Sequence, residues 1–239
     1  MTLLEMAAIL ALIALIAGAV VGGRELVRMA ELRSAAFQLG ELQQGILMFR
    51  DVYGQLPGDF RGANALWTEA IDGDNDGRIN GPAVGDVETY NAWNHLSLAK
   101  LIRGSYPPHV DPAPPSIPEG NLVGSFVNIL HDVPYSLPIE AHYLTVTRIR
   151  AAVDGQGFVA WVINHVMGGP AGGLLPTDAA GLDAKIDDGQ PLSGRAISVA
   201  PAMGADPRLN CPAADNENVY NLRHNVHNCG LWVRLVWGE

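Results

Sequence analysis

Asp72, Asp74 and Asp76 stand at alternate positions and are followed by Gly77, Arg78, Ile79 and Asn80. Carboxylates at that spacing, a glycine for the sharp turn, a main-chain carbonyl at Arg78 and an apolar Ile79 form the first part of an EF-hand-type calcium loop. Three carboxylates this close repel one another unless a cation or water screens them, so a hard, oxygen-bound ion is the expected chemistry. The twelfth position, where such a loop places a bidentate acid, holds Ala83. The closing carboxylate must therefore come from Glu88 or Asp86. A solvated turn is the alternative, and an ion held here has a structural role and no catalytic one.

A second chemical signal lies at the other end of the chain. From Thr2 to Gly23 the only ionisable side chain is Glu5, and the apolar run from Met6 to Val21 approaches the roughly 20 residues that cross a bilayer. A carboxylate in such a run is costly and is read as functional. With no Lys or Arg nearby, its cation is the α-amino group at Met1 or that of a neighbouring chain, and the second choice links subunits. The run lacks the basic start of a secretory signal. Arg24 and Arg28, which follow it, favour a cytoplasmic side for what comes next, and this conflicts with an exported domain unless a basic leader has been removed.

Two cysteines, Cys211 and Cys229, suit one disulfide in an oxidising compartment. Their rival is a metal site of His224, His227 and Cys229, whose His-x-x-His-x-Cys spacing is not a recognised ligand set. The formal net charge of −10 over 239 residues argues against a nucleic-acid partner, since phosphate binding needs clustered Lys and Arg. No Gly-x-Ser-x-Gly, phosphate loop or His-Glu-x-x-His occurs, so the chain does not read as an enzyme.

The elements that position these residues follow from periodicity. Ala35, Leu39, Leu42, Ile46, Phe49 and Tyr53 recur at spacings of four and three, the stripe of an amphipathic helix packed on a sheet, and Gly54 with Pro57 stops it. No proline precedes Pro57. Gly18, Gly22 and Gly23 are the weak points of an otherwise continuous helix. Beyond Pro57 the chain becomes rich in Gly, Pro and Asp, with strand-like runs at 143–149, 195–199 and 231–237 that read as an antiparallel sheet. Leu231, Val233, Leu235 and Trp237 share the face that covers the helix stripe. The predicted class is α+β, with an N-terminal membrane helix over 1–54 and a globular domain over 55–239. The stretch Pro107–Pro118 reads as a surface loop. A short helix is expected within 175–191, capped by Thr177 or Asp178, with Ala179, Leu182 and Ile186 on one face. Its Asp183, Asp187 and Asp188 form a solvated acidic face or a second metal site.

The N-terminal pattern Met1-Thr2-Leu3-Leu4-Glu5-Met6 followed by apolar residues resembles the mature N-terminus of type IV pilins and type II secretion pseudopilins. The acidic loop, the segment Glu88-Thr-Tyr-Asn-Ala-Trp-Asn-His-Leu96 and the 175–191 helix resemble parts of their large-domain members. The resemblance implies a trimmed, N-methylated Met1, where family members usually carry Phe, which leaves Met1 open to reading as an initiator residue. It further implies docking of Glu5 on the next subunit and a disulfide between Cys211 and Cys229 that locks a C-terminal loop. The implied partners are copies of this chain in a helical filament, the inner membrane before assembly, a prepilin peptidase and the pilus assembly machinery. The expected function is a structural subunit of an extracellular filament on the cell surface. The alternatives are a calcium-binding pseudopilin of a type II secretion system and a membrane-anchored periplasmic enzyme.

Overall fold

In a computed structural model of the chain, the residues described are 3–80, 88–108, 117–122, 125–132, 141–147, 174–199, 211–213, 216–223 and 229–236. The N-terminal element is a single helix, α1, Leu3–Tyr53, unbroken at Gly18, Gly22 or Gly23. Its first half is exposed. It is the one helix among the described residues long and apolar enough to cross a membrane, as an anchor or a signal sequence would, and none of its apolar window is buried. Burial begins at Leu32 and continues through Ala35, Leu39, Leu42, Ile46 and Phe49, the stripe that the spacing predicts. Each large side chain so buried contributes about 1.5–3 kcal/mol. The helix ends where Gly54 turns left-handed, at φ 72°, while its N–H still reaches the Arg50 carbonyl.

Two short helices, α2 (Ala63–Leu66) and α3 (Glu88–Leu98), follow. Residues 88–97 of α3 are all buried, Tyr90, Trp93 and Leu96 almost completely. The chain then builds β1 (Glu119–Gly120), β2 (Ser125–Asp132) and β3 (Ala141–Thr147), a helix α4 (Pro176–Ile186), and β4 (Ala196–Val199), β5 (Pro212–Ala213), β6 (Asn216–Tyr220) and β7 (Gly230–Arg234). Five strands form one sheet in the order β1-β2-β3-β7-β4, and β5 pairs with β6 apart from it. Every pairing is antiparallel. The register sets Ile129 beside Leu144 and Leu144 beside Val233, so alternate residues put Val127, Ile129, Leu144, Val146, Leu231, Val233 and Leu235 into one core with the α1 stripe. The opposite parity buries Tyr143, Ile197 and Trp232 in a second, smaller cluster. The fold is thus α+β, as expected. Trp237, expected on the α1 side, lies outside the described residues, as do Met1, most of Pro107–Pro118 and residues 148 and 149.

Helix α4 departs from expectation at its start. Neither Thr177 nor Asp178 caps it; Leu175 is the N-cap and Pro176 occupies the first turn, where a missing N–H costs nothing. Asp178 is drawn instead to Arg28 of α1, whose Nε donates to it at 2.7 Å while another guanidinium nitrogen reaches Glu31 at 2.8 Å. Gly181 lets α4 sit this close, since a Cβ there would come within 2.7 Å of a Leu32 methyl. The globular part therefore grips α1 from about Arg28 onward and leaves the preceding apolar residues bare.

Candidate metal centre

The acidic loop is shaped by a crossing of two chain segments just beyond α1. Gly73 donates its N–H to the Phe60 carbonyl at 3.0 Å, and a Cβ on Gly73 would lie 2.3 Å from the Gly58 carbonyl oxygen and 2.4 Å from the Asp59 backbone. Gly58, at φ 89°, has no more room, because its Cβ would meet the Glu88 carbonyl at 2.4 Å. Two backbones touch here, and only glycine fits on either. Buried His95 steadies the crossing: its Nδ1 accepts from the Gly58 N–H at 2.9 Å and its Nε2 bonds the Ile71 carbonyl at 2.9 Å. Since Nδ1 accepts, the proton of the neutral ring sits on Nε2. Burial holds His95 at a pKa of about 4.

This crossing delivers Asp59 into the loop. Asp59, Asp74, Asp76 and Glu88 each offer a carboxylate oxygen, and these oxygens all lie within 4.8 Å of one another. Backbone donors hold them in place. Asp59 accepts from the N–H groups of Asp76 and Gly77, both at 3.0 Å. Glu88 bridges the two ends of the loop, accepting from Asp74 at 3.1 Å and Asn80 at 3.0 Å. Asp74 and Asp76 accept from backbone two residues ahead, at Asp76 and Arg78. Left-handed Asn75 (φ 63°) and Gly77 (φ 84°) supply the curvature. Downstream, the Ile79 N–H donates to His142 Nε2 at 3.3 Å and the Ile79 carbonyl accepts from the His131 N–H at 2.9 Å, so β2 and β3 anchor the exit. Burial pushes the His142 pKa down to about 4 as well, with the neighbouring His131 adding to the effect.

Of the residues named from the sequence, Asp74, Asp76 and Glu88 converge. Asp72 does not join them: its Oδ1 accepts from the Asn64 N–H at 2.7 Å and ties the start of the loop to α2. The reason is the Gly73 crossing, which turns Asp72 to the far side and puts Asp59 in its stead. Arg78 lends its N–H to Asp76. Asn80 donates its side-chain amide to Asp76 Oδ2 at 3.1 Å, while its carbonyl is taken by the Thr89 N–H and hydroxyl. Asp86 and Ala83 lie outside the described residues. Asp59 had no local signature in the sequence; a lone acid after Pro57-Gly58 looks like an ordinary turn residue.

Four carboxylates within 4.8 Å are an unstable set without compensation. At an effective dielectric near 20, each ionised pair at that separation repels by about 3–4 kcal/mol. Burial, with the charge of Asp76 as a lesser cause, pushes the Asp59 carboxyl up to about 6, against the pull of its backbone donors. Each backbone bond occupies one lone pair of an oxygen that has two, so every carboxylate keeps capacity for a cation. The donor set is hard oxygen throughout, suited to a divalent cation of the Mg, Ca or Mn type.

The second acidic group, Asp183, Asp187 and Asp188, also brings carboxylate oxygens together, and it is the solvated face expected only at Asp187 and Asp188. Asp183 is fully buried and accepts from the Tyr220 hydroxyl at 2.6 Å and the Gly189 N–H at 3.2 Å. Asp187 accepts from the N–H groups of Arg195 and Ala196, and Asp188 from the Gln190 N–H and the Ser193 hydroxyl. These three close the turns that lead into edge strand β4.

Cys211 and Cys229 are joined, with Cα atoms 5.3 Å apart, and both are buried. The bond fastens the β5–β6 pair to the start of β7, beside the Leu174 bridge to Cys229. A metal site using Cys229 is thereby ruled out; His224 and His227 lie outside the described residues. No family model matches the chain, and no curated protein or solved structure matches it either.

Proposed function

We propose that the chain is a structural subunit of a type IV pilus-like extracellular filament, held in the inner membrane by the first half of α1 before assembly and packed through that same half afterwards. The observation that carries this reading is one helix with two opposed environments. From Leu3 to Val20 the helix is apolar but for Glu5 and is exposed, whereas the stripe from Leu32 to Phe49 is buried in the domain. A helix built only to stabilise its own domain has no use for roughly 20 further residues, about 30 Å, of largely apolar helix that the domain leaves uncovered. Lipid covers such a segment in the membrane and other copies cover it in a filament. In either surrounding Glu5 is the one side-chain charge before Arg24, and a neighbouring chain's amino terminus is its natural partner. The disulfide suits export to an oxidising compartment.

The acidic centre we read as a calcium site. Asp59, Asp74, Asp76 and Glu88 hold the ion, completed by water or main-chain oxygens to the six to eight ligands calcium takes, and the ion pins the crossing beneath α1 to the start of α3. Its role is structural. That centre also favours a second reading, a calcium-binding pseudopilin of a type II secretion system. Electron microscopy of material sheared from cells separates the two: long surface filaments labelled by an antibody to this chain support the pilus, and their absence with the chain kept in the envelope supports the pseudopilin.

A further inference from the structure

Helix α3 ends on a residue that a helix end rarely accepts. Leu101 donates its N–H to the Leu96 carbonyl at 3.0 Å and Lys100 to the Ser97 carbonyl at 3.1 Å, the paired bonds that close a helix through a left-handed residue. That residue is Lys100, at φ 58°. A side chain there crowds its own backbone, and glycine is the usual choice. Elsewhere among the described residues the chain meets every left-handed position with glycine, or with asparagine at Asn75. Here it spends one of its two lysines, the other being Lys185. A cation for the dipole of α3 needs no such conformation, since any exposed position of the last turn supplies it. The place that Lys100 occupies, and not the helix end, is what calls for an ammonium.

That place is the wall of a cavity of about 400 Å³ between α1, the turn after α3 and the segment around β1. Small-molecule pockets run from about 300 to 1,000 Å³. A second cation lines it: Arg103, its side chain 93 % exposed, whose ion pair with Glu41 is long at 3.6 Å. Lys100 has no ion pair among the described residues. In a chain of net charge −10, two such cations at one cavity draw an anion.

The rest of the wall selects which anion. Gln38 accepts from the Asn121 N–H and donates to the Glu119 carbonyl, both at 2.7 Å, while the Asn121 amide donates to the Ser34 hydroxyl at 2.9 Å. These bonds zip β1 to α1 and hold two amides still at the cavity, with the second N–H of Gln38 and the Oδ1 of Asn121 left over. Tyr106 adds an aromatic ring, and Glu41 a further acceptor. Inorganic phosphate has little to donate to Asn121 and Glu41, and a simple aliphatic acid leaves amides and ring unused. One carboxylate on a ring of hydroxyls uses them all.

We propose that this cavity binds a sugar acid, a uronic or sialic acid unit of a saccharide, with its carboxylate between Lys100 and Arg103. Arg103 turns from Glu41 to the ligand, and Glu41, Gln38 and Asn121 take the hydroxyls. Lys100 then serves binding at the expense of the helix end, a trade of stability for function. The site is complete within one chain and stands whether or not the chain assembles.

The test is ligand-observed NMR on the full-length chain in detergent micelles, with methyl glucuronide, methyl galacturonide and sialyllactose set against methyl glucoside, methyl galactoside and lactose. At least one sugar acid is expected to bind roughly tenfold tighter than its neutral counterpart, and less tightly in high salt. Lys100→Gly is expected to lose that preference while raising the unfolding midpoint, because it removes the cation and relieves the left-handed residue. Lys185→Ala should leave the preference intact. Sugar acids that bind no better than neutral sugars overturn the proposal, as does a Lys100→Gly chain that keeps the preference. A Lys100→Gly chain that loses the preference together with stability does the same, by making Lys100 part of the fold. Inorganic phosphate that displaces the sugar acid at equal concentration would also sink it, by showing a general anion patch.

Discussion

Two acidic clusters of similar composition have opposite designs. In the 183–188 group the carboxylates come from one short stretch, and each accepts from local donors that close a turn or, at Asp183, from Tyr220. In the other group they come from three separate places, Asp59 after α1, Asp74 and Asp76 in the loop, and Glu88 at the start of α3. Burial raises one member of each, Asp59 and Asp183, to about 6. Density of acid and a perturbed carboxyl are thus common to both. What separates them is that the group of Asp59, Asp74, Asp76 and Glu88 is assembled by a tight backbone crossing, with its donors spent on holding distant segments together.

The comparison breaks most sharply at the crossing. Gly73→Ala sets a methyl against two backbones and is expected to cost on the order of 4 kcal/mol or more, with loss of cation binding; denaturant unfolding and calorimetric titration with calcium measure both. Full stability in that variant would show that the crossing is not needed. The Cys211→Ser and Cys229→Ser pair leaves the acidic centre untouched, and is expected to lose about 2–5 kcal/mol through the freed β5–β6 region alone.

Acid should also act on the cluster of Asp59, Asp74, Asp76 and Glu88. His95 and His142 are neutral acceptors for Gly58 and Ile79 at its two ends, each with a pKa lowered to about 4. For a base whose folded pKa is depressed, the stabilising contribution is complete above the unfolded value, ordinarily 6.5, and is lost as pH falls toward 4. Buried His95 alone accounts for about 3 kcal/mol across that window. Unfolding curves of wild type and His95→Gln from pH 7 to 4 should converge on acidification, and parallel curves would refute the assignment.

Calcium at 100 times its dissociation constant should add about 2.7 kcal/mol to the folded state, reversed by chelator. Asp59→Asn should abolish that response, whereas Asp187→Asn should leave it intact. The smallest effect belongs to Tyr220→Phe, which removes the hydroxyl from buried Asp183 and is expected to cost about 1–2 kcal/mol with no change in the calcium response.

Much of this molecule was legible before any coordinates. The apolar run with Glu5, the stripe from Ala35 to Phe49, the Gly54 stop, the α+β class and the strands around 143, 196 and 231 all follow from local period and local chain breaks. So did three of the four clustered acids, because alternate aspartates and a turn glycine are a local pattern. Strand β2 has no clear local signal: its polar members Asn128 and His131 interrupt the alternation, and pairing along β3 sustains it. Asp178, which local sequence offers as a cap of α4, instead satisfies Arg28, 150 residues away.

What sequence alone determined is whatever one segment decides by itself: where hydrocarbon is continuous, where a helix has a face, where the chain must turn. Tertiary structure decided which acids share a site. Asp59 enters and Asp72 leaves because two backbones cross with no room for a Cβ, and Asp183 is buried because Tyr220 arrives from another strand. Contacts between segments far apart in the chain depend on how the whole core packs, and no spacing within either segment records them.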